Sequence, residues 1–269
     1  MLSPEEFKNK LEGIKKGGSS LAITTFNPEG KSYAIPEEYK GHYSGECGEC
    51  DYDTRMFEEC GTLESITYLH YIEDSGIPPV MPEGYMSCFK MFSDYESLTV
   101  LDLSYLDTSR VTNMRSMFFK STSLTALDLS NFDTSVIGDM SHMFSGCESL
   151  TALDLSNFDT SAVTGMAYMF CGCRSLTTLD LSHFNTSQVV SMNGMFKGCE
   201  SLTTLALSYF DTSKVESMSV MFCHCRSLTM LDLSRFDTSR VMTMFGMFSE
   251  CRSLSSECKS RLKSQGFDV

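Results

Sequence analysis

The chain has no run of 18 or more apolar residues, so a membrane-spanning helix is not expected from its sequence. Basic residues are also scarce: 21 Lys and Arg stand against 35 Asp and Glu, for a net charge of −14. A field of that sign repels a phosphate backbone, so nucleic-acid binding by direct phosphate contact is excluded as an expectation. The natural complement is a partner with a basic surface. The first residues, Met1-Leu2-Ser3-Pro4-Glu5-Glu6-Phe7, lack the basic-then-apolar layout of a secretory signal. The expected location is therefore cytoplasmic, or inside a host cell, with a surface location only if a signal has been removed. What is present is ordinary for a folded protein: 42% hydrophobic and 21% charged residues argue against disorder.

The charge is unevenly spread. Residues 1–97 carry 18 acidic and eight basic side chains, a net of −10, while residues 226–263 hold seven basic side chains against four acidic ones. An acidic head and a basic tail suit a monomer or end-to-end self-association.

Self-similarity organises most of the chain. Six segments align without gaps, from Leu98, Leu124, Leu150, Leu176, Leu202 and Leu228, and Leu254 begins a seventh; the period is 26 residues. Each runs Leu-Thr-x-Leu-Asp-Leu-Ser-x-Phe-Asp-Thr-Ser-x-Val-x-x-Met-x-x-Met-Phe-x-x-Cys-x-Ser, with few departures. Met56-Phe57-Glu58-Glu59-Cys60 repeats the same form earlier, which places about eight coils between residues 56 and 254 and an insertion near 69–85. Within a coil, Leu101 and Leu103 alternate with Asp102 and Ser104 at the period of a half-buried strand. Asp-Thr-Ser reads as a turn. Met114, Met117, Phe118 and position 121 fall on one helical stripe, and Asn113, Asp139, Gly165, Ser191, Ser217 and Thr243 stand before it as N-cap types. Gly146, Gly172 and Gly198 read as helix stops.

The expected fold is an α/β repeat solenoid with a parallel sheet on one face and short helices on the other. No coil can bury its own apolar face, so the stack is the core. Residues 1–55 are expected to cap it with a helix from Ser3 and a hairpin, and residues 255–269 with a helix capped by Ser256.

Leu-Asp-Leu-Ser-Asn-Phe-Asp-Thr-Ser at 127–135 and 153–161, and Met-Phe-Ser-Gly-Cys-Glu-Ser-Leu at 143–150, resemble the BspA-like leucine-rich repeats of bacterial surface proteins. That resemblance covers residues 56–254. It implies a right-handed leucine-rich-repeat-like coil and an adhesive or protein-binding role, and it carries over no catalytic residue and no cofactor. In one respect the chain departs from the pattern: where a typical leucine-rich repeat has its asparagine ladder, this chain has Leu106 or Phe.

Three constellations invite a chemical interpretation. Cys47-Gly-Glu-Cys50 near His42 has metal-like spacing, but its would-be second cysteine pair belongs to the repeat. Cys223-His224-Cys225 pairs a nucleophile with a base on paper only, because no third group orients the histidine. The acid column Asp102, Asp128, Asp154, Asp180 and Asp232 is the strongest, interrupted only by Ala206. Stacked carboxylates about 5 Å apart repel one another, which asks for a cationic partner, a bound metal ion or a hydroxyl ladder beside them. The expected site is this sheet face, with Tyr105, Asn131, Asn157, His183, Tyr209 and Arg235 supplying specificity. It belongs to a non-enzymatic protein-binding scaffold, with two alternatives: an intracellular inhibitor or decoy of a host or defence protein, or an end-to-end structural protein or surface adhesin.

Cys147, Cys173, Cys199, Cys225 and Cys251 form one ladder, with Cys60 in the same place earlier and Cys88 in the Met114 position. Their side chains point in parallel, which disfavours bridging. A denaturing thiol titration without reductant is therefore expected to find all 12 cysteines free. A count several short would return the protein to an oxidising surface.

Overall fold

The computed structural model describes residues 87–96, 98–101, 103 and 106–269, with the short strand Ser65–Ile66 ahead of them. The expected N-terminal cap, the Cys47/Cys50 pair with His42, Cys60 and the 69–85 insertion lie outside the described residues, as do Asp102 and Tyr105.

The described chain is a stack of coils, and the stacking follows the sequence period. Parallel bridges join Ser87 to Asn113, Asn113 to Asp139, Asp139 to Gly165, Gly165 to Ser191, Ser191 to Ser217 and Ser217 to Thr243. Regular strand is sparse. β1 (Ser65–Ile66) pairs in parallel with β2 (Val100–Leu101), and β3 (Thr204–Leu205) with β4 (Met230–Leu231). Elsewhere the same segment keeps the alternation of a strand without its ladder: Leu127 and Leu129 are buried, while Asp128 and Ser130 are exposed. The expected sheet is thus reduced to short pairs.

The expected helices after the N-cap positions are not there. From Met114 to Ser121 the chain makes successive turns, Met117 N–H to Met114 C=O, Phe119 to Ser116 and Ser121 to Phe118. The N–H groups in between leave the coil: Met114, Ser116, Phe118 and Lys120 donate to Asp139, Ser141, Met143 and Ser145 of the next coil, at 2.7–3.0 Å. This exchange recurs at every described coil junction. It also needs two left-handed residues per coil, which an α-helix of L-residues cannot carry. One column is Lys90, Ser116, His142, Tyr168, Gly194, Val220 and Gly246; the other is Asp94, Lys120, Gly146, Gly172, Gly198, His224 and Glu250. Gly146, Gly172 and Gly198 are therefore turn residues with φ of 73–81°, not helix stops. The supposed N-cap residues do accept N–H groups two residues on, as Asn113 does from Arg115 and Asp139 from Ser141, but they hold a bridge and a turn.

Inside the stack the side chains form continuous columns. Phe92, Phe118, Phe144, Phe170, Phe196, Phe222 and Phe248 are stacked ring on ring, with centroids 5.5–5.8 Å apart and planes within 13°. That separation exceeds the roughly 4.8 Å between hydrogen-bonded chains, so the rings are offset, the arrangement their quadrupoles favour. A second phenylalanine column, Phe132, Phe158, Phe184 and Phe210, is also buried.

Polar columns close the remaining valences. Thr108, Thr134, Thr160, Thr186 and Thr212 are each 1% exposed. Each hydroxyl donates to the carbonyl 25 residues ahead, and those of Thr108, Thr160 and Thr212 also accept the N–H of that same residue. The hydroxyl stands in for a peptide group in the ladder. Cysteines work in the same way: Cys147 Sγ–H donates to the Phe118 carbonyl at 3.1 Å, and Cys173, Cys199, Cys225 and Cys251 repeat the bond one coil further each time. Ser121 makes the bond to Phe92 where that coil lacks the cysteine. Burial pushes these thiols upward, Cys251 to about 12, so they stay protonated and keep donating.

At the far end, α1 (Ser256–Ser264) closes part of the last coil. Its N-cap is Ser255, one residue earlier than expected, whose side chain accepts from Cys258 N–H. Cys258 and Leu262 are buried, Arg261 donates to the Leu231 carbonyl at 2.8 Å, and Phe267 meets Phe248 edge-on at 6.0 Å.

Truncating the ring column at its middle removes contacts on both sides. Phe196→Ala is expected to cost about 3–5 kcal/mol in urea melts, whereas Leu106→Ala, at a half-buried position, costs clearly less.

Candidate functional site

The expected acid column is exposed and regular. Asp128, Asp154, Asp180 and Asp232 each turn one carboxylate oxygen back to accept the N–H of the serine two residues on, at 2.9–3.0 Å. Ser130, through its hydroxyl and N–H, holds the Asp128 carboxyl below the ordinary aspartate value. The N–H and hydroxyl of Ser156, Ser182 and Ser234 do the same for Asp154, Asp180 and Asp232. The nearby Asp128 charge opposes the shift at Asp154 only as the smallest contribution. Each of these aspartates is thus bonded to the serine of its own coil, and among the described residues no hydrogen bond between these serines runs along the column.

A second acid column, absent from the sequence expectation, is built by the Asp-Thr-Ser turns. Asp107, Asp133, Asp159, Asp211 and Asp237 accept from Ser109, Ser135, Ser161, Ser213 and Ser239 N–H. Asn185 takes this place in one coil and accepts from Ser187 in the same way. A neutral amide thus maintains the turn.

The residues expected to supply specificity divide into two groups. Asn131 Nδ2 donates to the carbonyls of Leu103 and Leu106, and Asn157 Nδ2 to those of Leu129 and Phe132, at 2.9–3.1 Å. His183 Nε2 sits 2.6 Å from the Leu155 carbonyl, which can only accept, so that nitrogen carries the proton. These three reach back across the junction and tie coil to coil. They act as an asparagine-type ladder one residue before the place where the sequence pattern suggested it was missing. Tyr209, 68% exposed, and Arg235 are not tied in this way and project from the same column.

One further feature was missed. Glu148, Arg174, Glu200 and Arg226 are one column of alternating sign, with Arg174 3.3 Å from Glu148 and Arg226 3.2 Å from Glu200. The alternation of Cys-Glu-Ser with Cys-Arg-Ser in successive repeats was the available signal. Each exposed pair contributes about 0–1 kcal/mol.

Among the described residues no group of three or more His, Cys, Asp or Glu side chains could hold a metal ion, and no helix is long and apolar enough to cross a membrane. Cys223 and His224 are adjacent, and His224 Nδ1 is buried without a hydrogen-bond partner.

The structure is that of a repeat solenoid. Residues 86–202 and 174–265 match the family described as Mycoplasma protein of unknown function, DUF285, and the chain belongs to that family. No curated protein matches it. Among solved structures it is similar to a T. pallidum leucine-rich repeat protein (TpLRR), at 19% identity over 76% of this chain and 84% of that one, with a TM-score of 0.45. A weaker similarity, with a TM-score of 0.15, is to the TLR13–ssRNA13 complex, at 14% identity over 75% of this chain and 44% of that one.

The split within the specificity column can be tested directly. Asn157→Ala strips a donor from two carbonyls and should cost about 1 kcal/mol of stability, while Tyr209→Ala should stay within about 0.5 kcal/mol. The acid columns carry a pH signature as well. Because the folded carboxyls lie below their ordinary value, the stability they add is complete above the unfolded pKa and is lost as pH falls through the folded one. Carboxyl NMR titration should place the Asp128, Asp154 and Asp180 midpoints below that of a free aspartate.

Proposed function

We propose that the protein is a non-enzymatic binding scaffold of leucine-rich-repeat-like form that holds a protein partner through its acidic side. The supporting observation is the regularity of the carboxylates. Asp128, Asp154 and Asp180 recur once per coil, each exposed and each fixed by its serine. Charges fixed in advance lose little freedom when a partner arrives, and their summed field speeds the approach of a basic surface. Tyr209 and Arg235 extend this face toward the C-terminal coils and supply an aromatic and a cationic contact, both common among binding hot spots. Asp102 and Tyr105 are included on sequence grounds as the same columns continued.

The cysteines support an intracellular setting. All nine described thiols are unbridged, and their column is used for hydrogen bonds to carbonyls. An inhibitor or decoy of a host protein inside a cell would use the same acidic face.

The test exploits the asparagine already present at Asn185. Replacing Asp128, Asp154 and Asp180 together by Asn removes three charges and keeps an acceptor for each serine N–H. The melting temperature should hold or fall slightly, because the amide keeps the serine N–H bond but not the charge that strengthens it. For a partner captured by the wild-type chain, the association rate should fall and its salt dependence flatten. Equal capture and equal kinetics for both chains would rule the acidic face out as the interface.

A further inference from the structure

Seven asparagines stand in the chain, and only Asn193 is followed by glycine. Asparagine before glycine is the pairing most prone to lose its side-chain amide, because no side chain on the second residue shields its backbone nitrogen. Residue 194 lies in the left-handed region, with φ of 55°, but His142, Tyr168 and Val220 hold the same position in other coils, so φ alone does not demand glycine. The neighbouring ring does. A Cβ at residue 194 would lie 2.3 Å and 2.5 Å from two ring carbons of Tyr168, whose ring stacks on His142 with centroids 4.9 Å apart. Packing against the preceding coil thus sets a reactive pair in the middle of the stack.

The closed stack holds that pair still. The peptide between Asn193 and Gly194 is bonded on both sides: its carbonyl accepts the Tyr168 N–H at 2.7 Å, and its N–H donates to the Ser219 carbonyl at 2.9 Å. The side chain is committed as well. Asn193 Oδ1 accepts the Ser219 N–H at 2.9 Å and the Ser217 hydroxyl. In earlier coils the equivalent N–H is accepted within its own coil, that of Arg115 by Asn113 and that of Ser141 by Asp139. Asn193 therefore caps a turn of the coil that follows it. Loss of the amide requires the Gly194 nitrogen to give up its proton and reach Asn193 Cγ. With both junctions closed it can do neither.

We propose that Asn193-Gly194 is a self-modifying site gated by the stack, silent while both junctions are closed and converted to isoaspartate when they open. In the opened chain the Gly194 nitrogen passes its proton to solvent base and attacks Asn193 Cγ. The new N–C bond forms, the Cγ–Nδ2 bond breaks, and ammonia leaves with a proton taken from water. Water then opens the cyclic imide, with no oxidant or reductant involved. Attack at Cγ restores the ordinary main chain with aspartate at 193, whereas attack at the main-chain carbonyl leaves the chain running through Cβ and Cγ. The two products differ in their effect on the stack. Aspartate keeps acceptor oxygens for Ser217 and Ser219. Isoaspartate lengthens the backbone by a carbon within a coil of fixed 26-residue period, so the bonds to Tyr168 and Ser219 cannot both be remade. A transient opening becomes a permanent break at one junction.

The full chain, held at mildly alkaline pH either folded or in guanidinium chloride, provides the test, with the Asn193 peptide followed by mass spectrometry and by isoaspartate-specific methylation. Conversion should be slower in the folded chain by the fraction of time the junctions stand open, a difference of more than about tenfold. After ageing in denaturant and refolding, the wild-type chain should melt lower in proportion to its isoaspartate content. Unaged Asn193→Asp should melt close to the unaged wild type. Asn193→Ser, which installs the residue found at Ser141 and Ser219, should lose nothing on the same ageing. Equal conversion rates in the folded and denatured chains would overturn the proposal. So would an isoaspartyl chain that refolds to the unaged melting temperature, or an equal loss on ageing in Asn193→Ser.

Discussion

Four backbone hydrogen bonds from each coil to the next, in the segment running from Met114 to Ser121 and its repeats, set the geometry on which everything else rests. They fix the rise between coils, and the rise fixes which side chains can meet. Phenylalanine rings stack because the rise suits an offset pair. Threonine hydroxyls reach the next coil because the gap is one hydrogen bond wide. The same spacing lets a small thiol or hydroxyl close the valence of a phenylalanine carbonyl. The stack is held by contacts between neighbours alone, so its stability is a sum over junctions rather than the property of one central core.

The period, the inward columns and the exposed acid column were legible in the sequence because each is a repeat of one residue type at one position. Leu127, Leu129, Phe132, Met140, Met143 and Phe144 are buried as their alternation and spacing require. The turns were not legible. Met114, Met117, Phe118 and Ser121 have the spacing of a helical stripe, and a run of turns with two left-handed residues buries the same four positions. The residues at those left-handed sites, among them Ser116, His142, Tyr168 and Val220, share no chemistry that marks the conformation. Only the neighbouring coil, by accepting the N–H groups, makes it stable.

The same limit explains the division within the candidate site. Asn131, Asn157 and His183 vary in type and lie outside the buried core, which in sequence is the mark of a recognition surface. Their bonds run to carbonyls 25–28 residues away and become visible only when the coils are stacked. Tyr209 and Arg235 occupy the same column without that commitment. The variable position thus holds interlocking groups in some coils and free groups in others.

The threonine column has a consequence for how such a chain can change. Thr134 joins Asp159 and Thr160 joins Asn185 in the same manner, with no junction requiring a particular neighbour beyond the next coil. A duplication or loss of one whole coil would leave each new threonine bond equivalent to an old one, though it would set like charges side by side in the column Glu148, Arg174, Glu200 and Arg226. Length in this architecture is therefore inherited in whole coils, and the reach of the acidic face can lengthen or shorten by recombination without any redesign of the interior.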